Sequence, residues 1–374
     1  MLLLLFLGGQ LLPHPAGPNA AEAFLTTCGE TLYMTWIISE AKHKGRLYMS
    51  SNDGRGWRKP ALIREADNLF INWADYPKLL VLKDWMLAVW PEMLGEGTYS
   101  YGLRFSRSLD DGQTWREPEW LHEDRSLQEH GFVSLAALDD ETAAAVWLDG
   151  RALADSGMQL RYRTLSAETT TAEILLDERT CECCNTDLVQ LASGPLAVYR
   201  DRSKTEIRDI FMVRPGSMLE AKQPVFADGW EIMGCPVNGP ALDARGNRVA
   251  LAWFTGAGDS RLGLAVSPDG GKVFSKPLRF APEAQGRLDC VWLADDQVAV
   301  SWIQNTEEGS EVRLARFRPD SPPVRIGDEL RIDATPASRV SGSPRLAVWD
   351  GGLVIAYQDP DKPGIKLKHL RFGP

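Results

Sequence analysis

Seven times along this chain of 374 residues a short apolar run ends in an aromatic residue. The runs are TLYMTW to Trp36, WMLAVW to Trp90, TAAAVW to Trp147, PLAVY to Tyr199, RVALAW to Trp253, QVAVSW to Trp302 and GLVIAY to Tyr357. Successive aromatics lie 54, 57, 52, 54, 49 and 55 residues apart, a period that unrelated strands would not keep. Around each aromatic the same four-strand unit can be drawn. In the second unit it reads YPKLLVLK, WMLAVWPE, YGLRFSRS and WREPEWL, short Trp/Val/Leu-rich segments separated by turn residues. No segment keeps a helical period over ten or more residues.

Four short antiparallel strands repeated at a constant interval define a propeller blade, which buries its faces only against its neighbours. The expectation is therefore an all-β, seven-bladed propeller spanning 1–374 as one domain, with six blades as the alternative. The seventh unit stops one strand short. Residues 1–12, with the apolar run LLLLFL, either supply that strand and close the ring or are the remnant of a signal peptide that lacks its basic start. No other stretch approaches the length of a membrane span. A net charge of −10 without a Lys/Arg cluster argues against a nucleic-acid partner.

Three units share a turn between their third and fourth strands. Ser108, Asp110, Gly112 and Trp115 fit Ser-x-Asp-x-Gly-x-Thr-Trp; Ser267, Asp269, Gly271 and Phe274 repeat it; and Ser50, Asn52, Gly54 and Trp57 form a third copy with Asn for Asp. Polar side chains satisfying turn amides, a glycine at positive φ and an anchoring aromatic make these structural residues. With these turns the chain resembles the Asp-box propellers, and most closely the bacterial sialidase-like group, whose true sialidases have six blades.

Simple up-and-down connectivity puts the Asp-box turns on one face and gathers the unusual loops on the other. Those loops are Asn72–Asp75, Glu129–Gly131, Leu148–Arg151, the Cys181–Cys184 cluster with Asp187, Tyr199–Asp209, Cys235–Asn238 and Arg287–Cys290. The resemblance implies an Arg clamp for a sugar carboxylate, an Asp acid/base and a Tyr nucleophile activated by Glu. Arg151, Arg200, Arg202, Arg208 and Arg287 are the candidate clamp, since a planar guanidinium meets a carboxylate with two parallel hydrogen bonds. Asp75, Glu206 and Tyr199 are the catalytic candidates, although Tyr199 falls in a different blade from the family nucleophile, whose place reads Val340–Arg345 here. The same arginines could equally form an ion-pair ladder with Asp201, Glu206 and Asp209, and Asp75 could cap a turn.

Cys181, Cys183 and Cys184 should pair with Cys235 through at least one disulfide, which implies a periplasmic or secreted protein. A soft-metal site at these cysteines is the competing reading; no other cofactor is expected. The functional expectation is a sialidase-like glycoside hydrolase acting on an acidic sugar. The alternatives are a non-catalytic glycan- or protein-binding propeller and a cysteine-based metal or redox site.

Overall fold

The computed structural model describes residues 9–216, 222–294 and 296–372. They form a β-propeller of seven four-stranded antiparallel sheets, so the count of seven holds and six is excluded. The first strands of the blades are Ala20–Cys28, Lys78–Val81, His130–Ala137, Asp187–Leu191, Ala241–Arg245, Ala284–Trp292 and Arg345–Trp349. Each touches the first strand of the blade before and after it, so these seven strands surround the axis. The ring is closed by Gln10–Leu11, which pairs with Ile365–Leu370 in the last blade through Gln10↔His369 and Leu11↔Lys368. The apolar run at 2–7 lies outside the described residues.

The period in the sequence is a period of burial. Trp36, Trp90, Trp147, Tyr199, Trp253, Trp302 and Tyr357 all lie on second strands and are at most 3% exposed. The apolar side chains sort into seven clusters, each shared by two adjacent blades, including one between the first and last. A blade cut from its neighbours would lose both faces of its core. Most of these buried ring tips find partners, Trp36 Nε1 being an exception: Trp147 Nε1 donates to Asp149 at 3.0 Å, Trp302 Nε1 to Gln304 at 2.8 Å and Tyr357 Oη to Asp333 at 2.7 Å.

Inner-strand aspartates latch consecutive blades. Asp187, Asp243 and Asp289 each accept the backbone N–H of a residue in the next inner strand: Leu242 at 2.7 Å, Trp292 at 2.6 Å and Leu346 at 2.8 Å. Burial, above all, raises their pKa values from 3.8 to about 6, 7 and 7. A carboxyl whose pKa is raised on folding binds protons more tightly folded than unfolded, so its contribution to stability declines as pH rises from about 4 to 7. The melting temperature is expected to fall by several degrees between pH 5 and pH 8, and Asp243→Asn should flatten that slope. A melting temperature that rises over this interval would contradict the assignment.

The turns in blades 2 and 5 have the expected wiring. Ser108 Oγ accepts Gly112 N at 2.9 Å while Asp110 Oδ1 accepts Thr114 N at 2.9 Å; Ser267 and Asp269 do the same for Gly271 and Val273 at 2.9 and 3.0 Å. The turn in blade 1 is shorter and corrects the alignment of Ser50. Ser50 Oγ bonds the Arg58 carbonyl, as Ser106 bonds that of Arg116, so Ser50 occupies the place of Ser106 rather than Ser108. Asn52 accepts the turn amides of Gly54 at 3.0 Å and Gly56 at 3.3 Å, and Asp53 that of Arg55 at 3.1 Å.

Candidate functional site

The inner strands of blades 1 and 3 each carry one extra residue near their start, and that of blade 6 carries two. The ladder slips between Ala21 and Phe24, Gly131 and Ser134, and Gly286 and Asp289, with Glu22, Phe132 and Arg287 at positive φ of 56°, 55° and 52°. Such bulges re-aim side chains. All three lie at the end of the ring opposite the Asp-box turns, because an inner strand starts where the third strand starts and the Asp-box turn follows the third strand's far end.

Two recesses meet there, sharing Trp73 and Val237 in their walls. One is the central cavity of about 260 Å³, lined by Tyr76, Lys78, Asp187, Asp243, Arg287, Asp289 and Arg345 among others. The second is a cleft of about 330 Å³ lined by Phe70, Tyr99, Tyr101, Glu129, Glu182, the Cys183–Cys235 disulfide and Arg339.

The loop leading into blade 2 presents two aromatic rings, and each carries two cations. Arg287 lies 4.4 Å and Arg339 6.0 Å from the Trp73 ring centre; Arg345 lies 4.0 Å and Lys78 4.2 Å from that of Tyr76. Among the described residues none of the three arginines has a carboxylate at ion-pair distance. Arg287 donates instead to the Ser338 carbonyl at 3.1 Å and to Ser341 Oγ. Burial and then neighbouring Arg339 lower the pKa of Arg287. Burial brings Arg345, 9% exposed, down to about 9. Burial raises the pKa values of the facing aspartates and lowers that of Lys78, so charge of both signs is weakened in this cavity.

In the cleft, the Tyr101 hydroxyl donates to Glu129 Oε1 at 2.9 Å and also faces the Asp75 carboxyl, whose Oδ2 accepts Phe132 N at 3.0 Å. Tyr101 is pinned by Phe70, with ring centres 3.8 Å apart and 11° between planes. Burial raises Glu129 to about 8 and Asp75 to about 6. Glycine is required at 131, where a Cβ would stand 2.2 Å from Asp75 Oδ2 and 2.4 Å from the Tyr101 hydroxyl. Asp75 and Tyr101 are buried, whereas Glu129 is partly exposed and lines the cleft: a carboxyl protonated at neutral pH that a ligand can reach.

Of the five clamp candidates only Arg287 lines the cavity. Arg200, 1% exposed, donates to the carbonyls of Asn238, Arg208 and Phe254 at 2.9, 2.6 and 2.7 Å. Arg202 is forked onto Glu206 and also held by Glu182, and Arg208 bonds Glu206 at 3.0 Å and Glu182 at 2.9 Å. Arg151 bonds Asp149 and Glu173, both at 2.7 Å. Glu206, held at about 2 by the Arg202 hydrogen bond and then by Arg208, does not meet Tyr199, whose hydroxyl donates to Asp177 at 2.6 Å inside the blade. The tyrosine–glutamate pair in the recess is Tyr101–Glu129 instead. Its glutamate stood in a loop marked as unusual; its tyrosine opens a third strand and gave no sequence signal.

The Cys183–Cys235 disulfide forms as expected, with Cα atoms 6.1 Å apart, leaving Cys181 and Cys184 as buried thiols beside it. With that bond in place two thiols remain for a metal, fewer than the four ligands of a closed soft-metal site.

No protein-family model and no curated protein matches the chain. Solved structures do. The GH93 α-L-arabinofuranosidase of Fusarium graminearum aligns over 94% of this chain and 93% of its own with 13% identity and a TM-score of 0.54. The intramolecular trans-sialidase from Ruminococcus gnavus aligns over 94% of both chains with 12% identity and a TM-score of 0.50. A Dyadobacter fermentans protein of unknown function aligns over 98% of both with 13% identity and a TM-score of 0.53. At such identities the likeness is one of fold: this chain shares its propeller with glycan-processing enzymes.

Proposed function

We propose that the protein is a sialidase-like glycoside hydrolase that takes an acidic sugar in the joined cavity and cleft. The observation that carries this reading is the set of three arginines, Arg287, Arg339 and Arg345, held on aromatic rings with no carboxylate at ion-pair distance in a chain of net charge −10, although Arg345 also feels the buried Glu22 carboxyl. Guanidinium groups held this way leave N–H donors for the planar carboxylate of a sugar acid. Trp73 and the exposed Tyr99 give the cleft the aromatic surface on which a sugar ring can rest.

Glu129 is the proton donor to the glycosidic oxygen, and Tyr101 is a positioning residue whose hydroxyl fixes one oxygen of Glu129. An oxidising, extracytoplasmic compartment fits the Cys183–Cys235 disulfide, with Cys235 exposed; among the described residues no helix is long and apolar enough to cross a membrane. One observation favours a second reading, a non-catalytic acidic-glycan receptor: Glu129 is the one member of its triad open to a ligand.

Calorimetry against sialosides, uronate glycosides and neutral glycosides, alongside hydrolysis assays, tests both. Arg287→Ala is expected to weaken acidic-sugar binding roughly ten- to a hundredfold, the worth of about 1.5–3 kcal/mol in charge-assisted hydrogen bonds. Unchanged affinity in that variant, or no binding by the wild type, would remove the acidic-sugar assignment. Binding without turnover would leave the receptor.

A further inference from the structure

Four cysteines meet beside the cleft, and the sugar-binding reading uses none of them. Cys181, Cys183 and Cys184 lie between the last strand of blade 3, ending at Thr180, and the first of blade 4, beginning at Asp187; Cys235 lies between blades 4 and 5. The disulfide is at the surface, with Cys235 exposed and Cys183 half-buried, and both residues line the cleft. Beneath it Cys181 and Cys184 are at most 1% exposed. Cys181 Sγ lies within 4.8 Å of the sulfurs of Cys183, Cys184 and Cys235. A buried thiol thus stands beside both atoms of an exposed disulfide.

The surroundings prepare that thiol for ionisation. Arg208, its side chain 3% exposed, donates to Cys181 Sγ at 3.4 Å. Burial alone would push the Cys181 thiol up. The Cys184 thiol, the Cys183 backbone N–H and the guanidinium groups of Arg200 and Arg208 outweigh burial and bring it to about 7, while burial drives Cys184 well upward. A thiol ionising near ambient pH combines thiolate fraction with nucleophilicity.

We propose that this cluster is a thiol–disulfide exchange centre with Cys181 as its internal nucleophile. The Cys181 thiolate attacks Cys235 Sγ; the Cys181–Cys235 bond forms, the Cys183–Cys235 bond breaks, and its electron pair leaves on Cys183, which takes up the proton Cys181 gave up. One disulfide is exchanged for another, so no oxidant or reductant is consumed. In the first form the blade 4–5 loop is tied to the cleft wall at Cys183. In the second it is tied to the buried Cys181, and a free Cys183 thiol faces the cleft, open to an external thiol or disulfide.

Cys183→Ser, oxidised with oxidised glutathione, acid-quenched, alkylated and mapped by mass spectrometry, is expected to carry Cys181–Cys235 in nearly every molecule. Wild type quenched after equilibration at pH 8 should contain both isomers, with Cys183 alkylated in a measurable fraction; Cys181→Ser should contain only Cys183–Cys235. Should Cys183→Ser not fold, the wild-type isomer distribution decides. A free Cys235 in folded Cys183→Ser, or a Cys183 never alkylated in wild type between pH 6 and 9, would overturn the proposal. So would purified protein with all six thiols free around a stoichiometric zinc or copper ion. None of these outcomes depends on glycan binding, so the exchange centre and the sugar site stand or fall separately.

Discussion

Replacing Glu129 by Gln is expected to lower glycoside turnover roughly 10²- to 10⁴-fold while leaving acidic-sugar binding within a few fold, the range associated with loss of a general acid. Burial brings Glu129 to about 8, so the carboxyl holds its proton at neutral pH in a cleft that a ligand can enter. Glutamine keeps the shape and still accepts the Tyr101 hydroxyl at the oxygen that now receives it at 2.9 Å, but it has no acidic proton to transfer. The alkaline limb of the pH–rate profile, expected near pH 8 in wild type, should vanish. Tyr101→Phe offers a separate readout: the lost hydrogen bond lowered the Glu129 pKa, so the alkaline limb should move to higher pH. A Glu129→Gln variant of full activity would exclude Glu129 as the proton donor.

The architecture was legible because blade packing repeats. Each blade must place one large aromatic against its neighbour, so the seven buried second-strand aromatics recur at an interval set by four strands and their turns. Ring closure was legible in outline, since a three-strand last unit must find an edge; the pairing falls at Gln10–Leu11. The site was legible only as a face. Loop composition marked Asn72–Asp75, Glu129–Gly131 and Arg287 but could not tell which arginines had partners. Arg200 and Arg202 are consecutive alternate residues of one charged segment, yet one faces backbone carbonyls and the other Glu206. Arg287 has serines rather than a carboxylate to bond because segment 338–345 supplies Ser338 and Ser341, and Arg345 meets only the buried Glu22 carboxyl, beyond ion-pair distance. Sequence proximity favours local ion pairs, so the densest arginine cluster was the one most fully satisfied within the protein.

Arg151 turns that distinction into a measurement of stability. As part of a ligand clamp, Arg151→Ala would weaken sugar binding and leave the fold as stable as before. In the structure the Arg151 guanidinium joins two carboxylates, Asp149 at the end of a second strand and Glu173 just before the fourth, whose side chains are 0% and 2% exposed. Asp149 is driven up by burial and brought back below its ordinary value, to about 2, by the hydrogen bond from Arg151 and the charge of His130. Glu173 keeps Arg161 at 3.2 Å when the Arg151 side chain is gone, but Asp149 is left with the Trp147 ring N–H, the backbone N–H of residue 151 at 3.2 Å and His130 at 3.6 Å. Removing one partner of a buried pair strands a charge that water no longer solvates, a cost of about 3–5 kcal/mol in comparable cases. Arg151 is itself partly open to solvent, which places the expected loss at the lower end, about 3 kcal/mol in denaturant unfolding at pH 7. The sign of the pH response follows from the depressed pKa of Asp149. In wild type this carboxylate contributes stability above its unfolded value near 4 and loses it as pH falls through about 2. Removing Arg151 raises the folded value, so the variant's deficit should be full at pH 7 and shrink as the pH falls below 4. A variant as stable as wild type but defective in sugar binding would return Arg151 to the clamp.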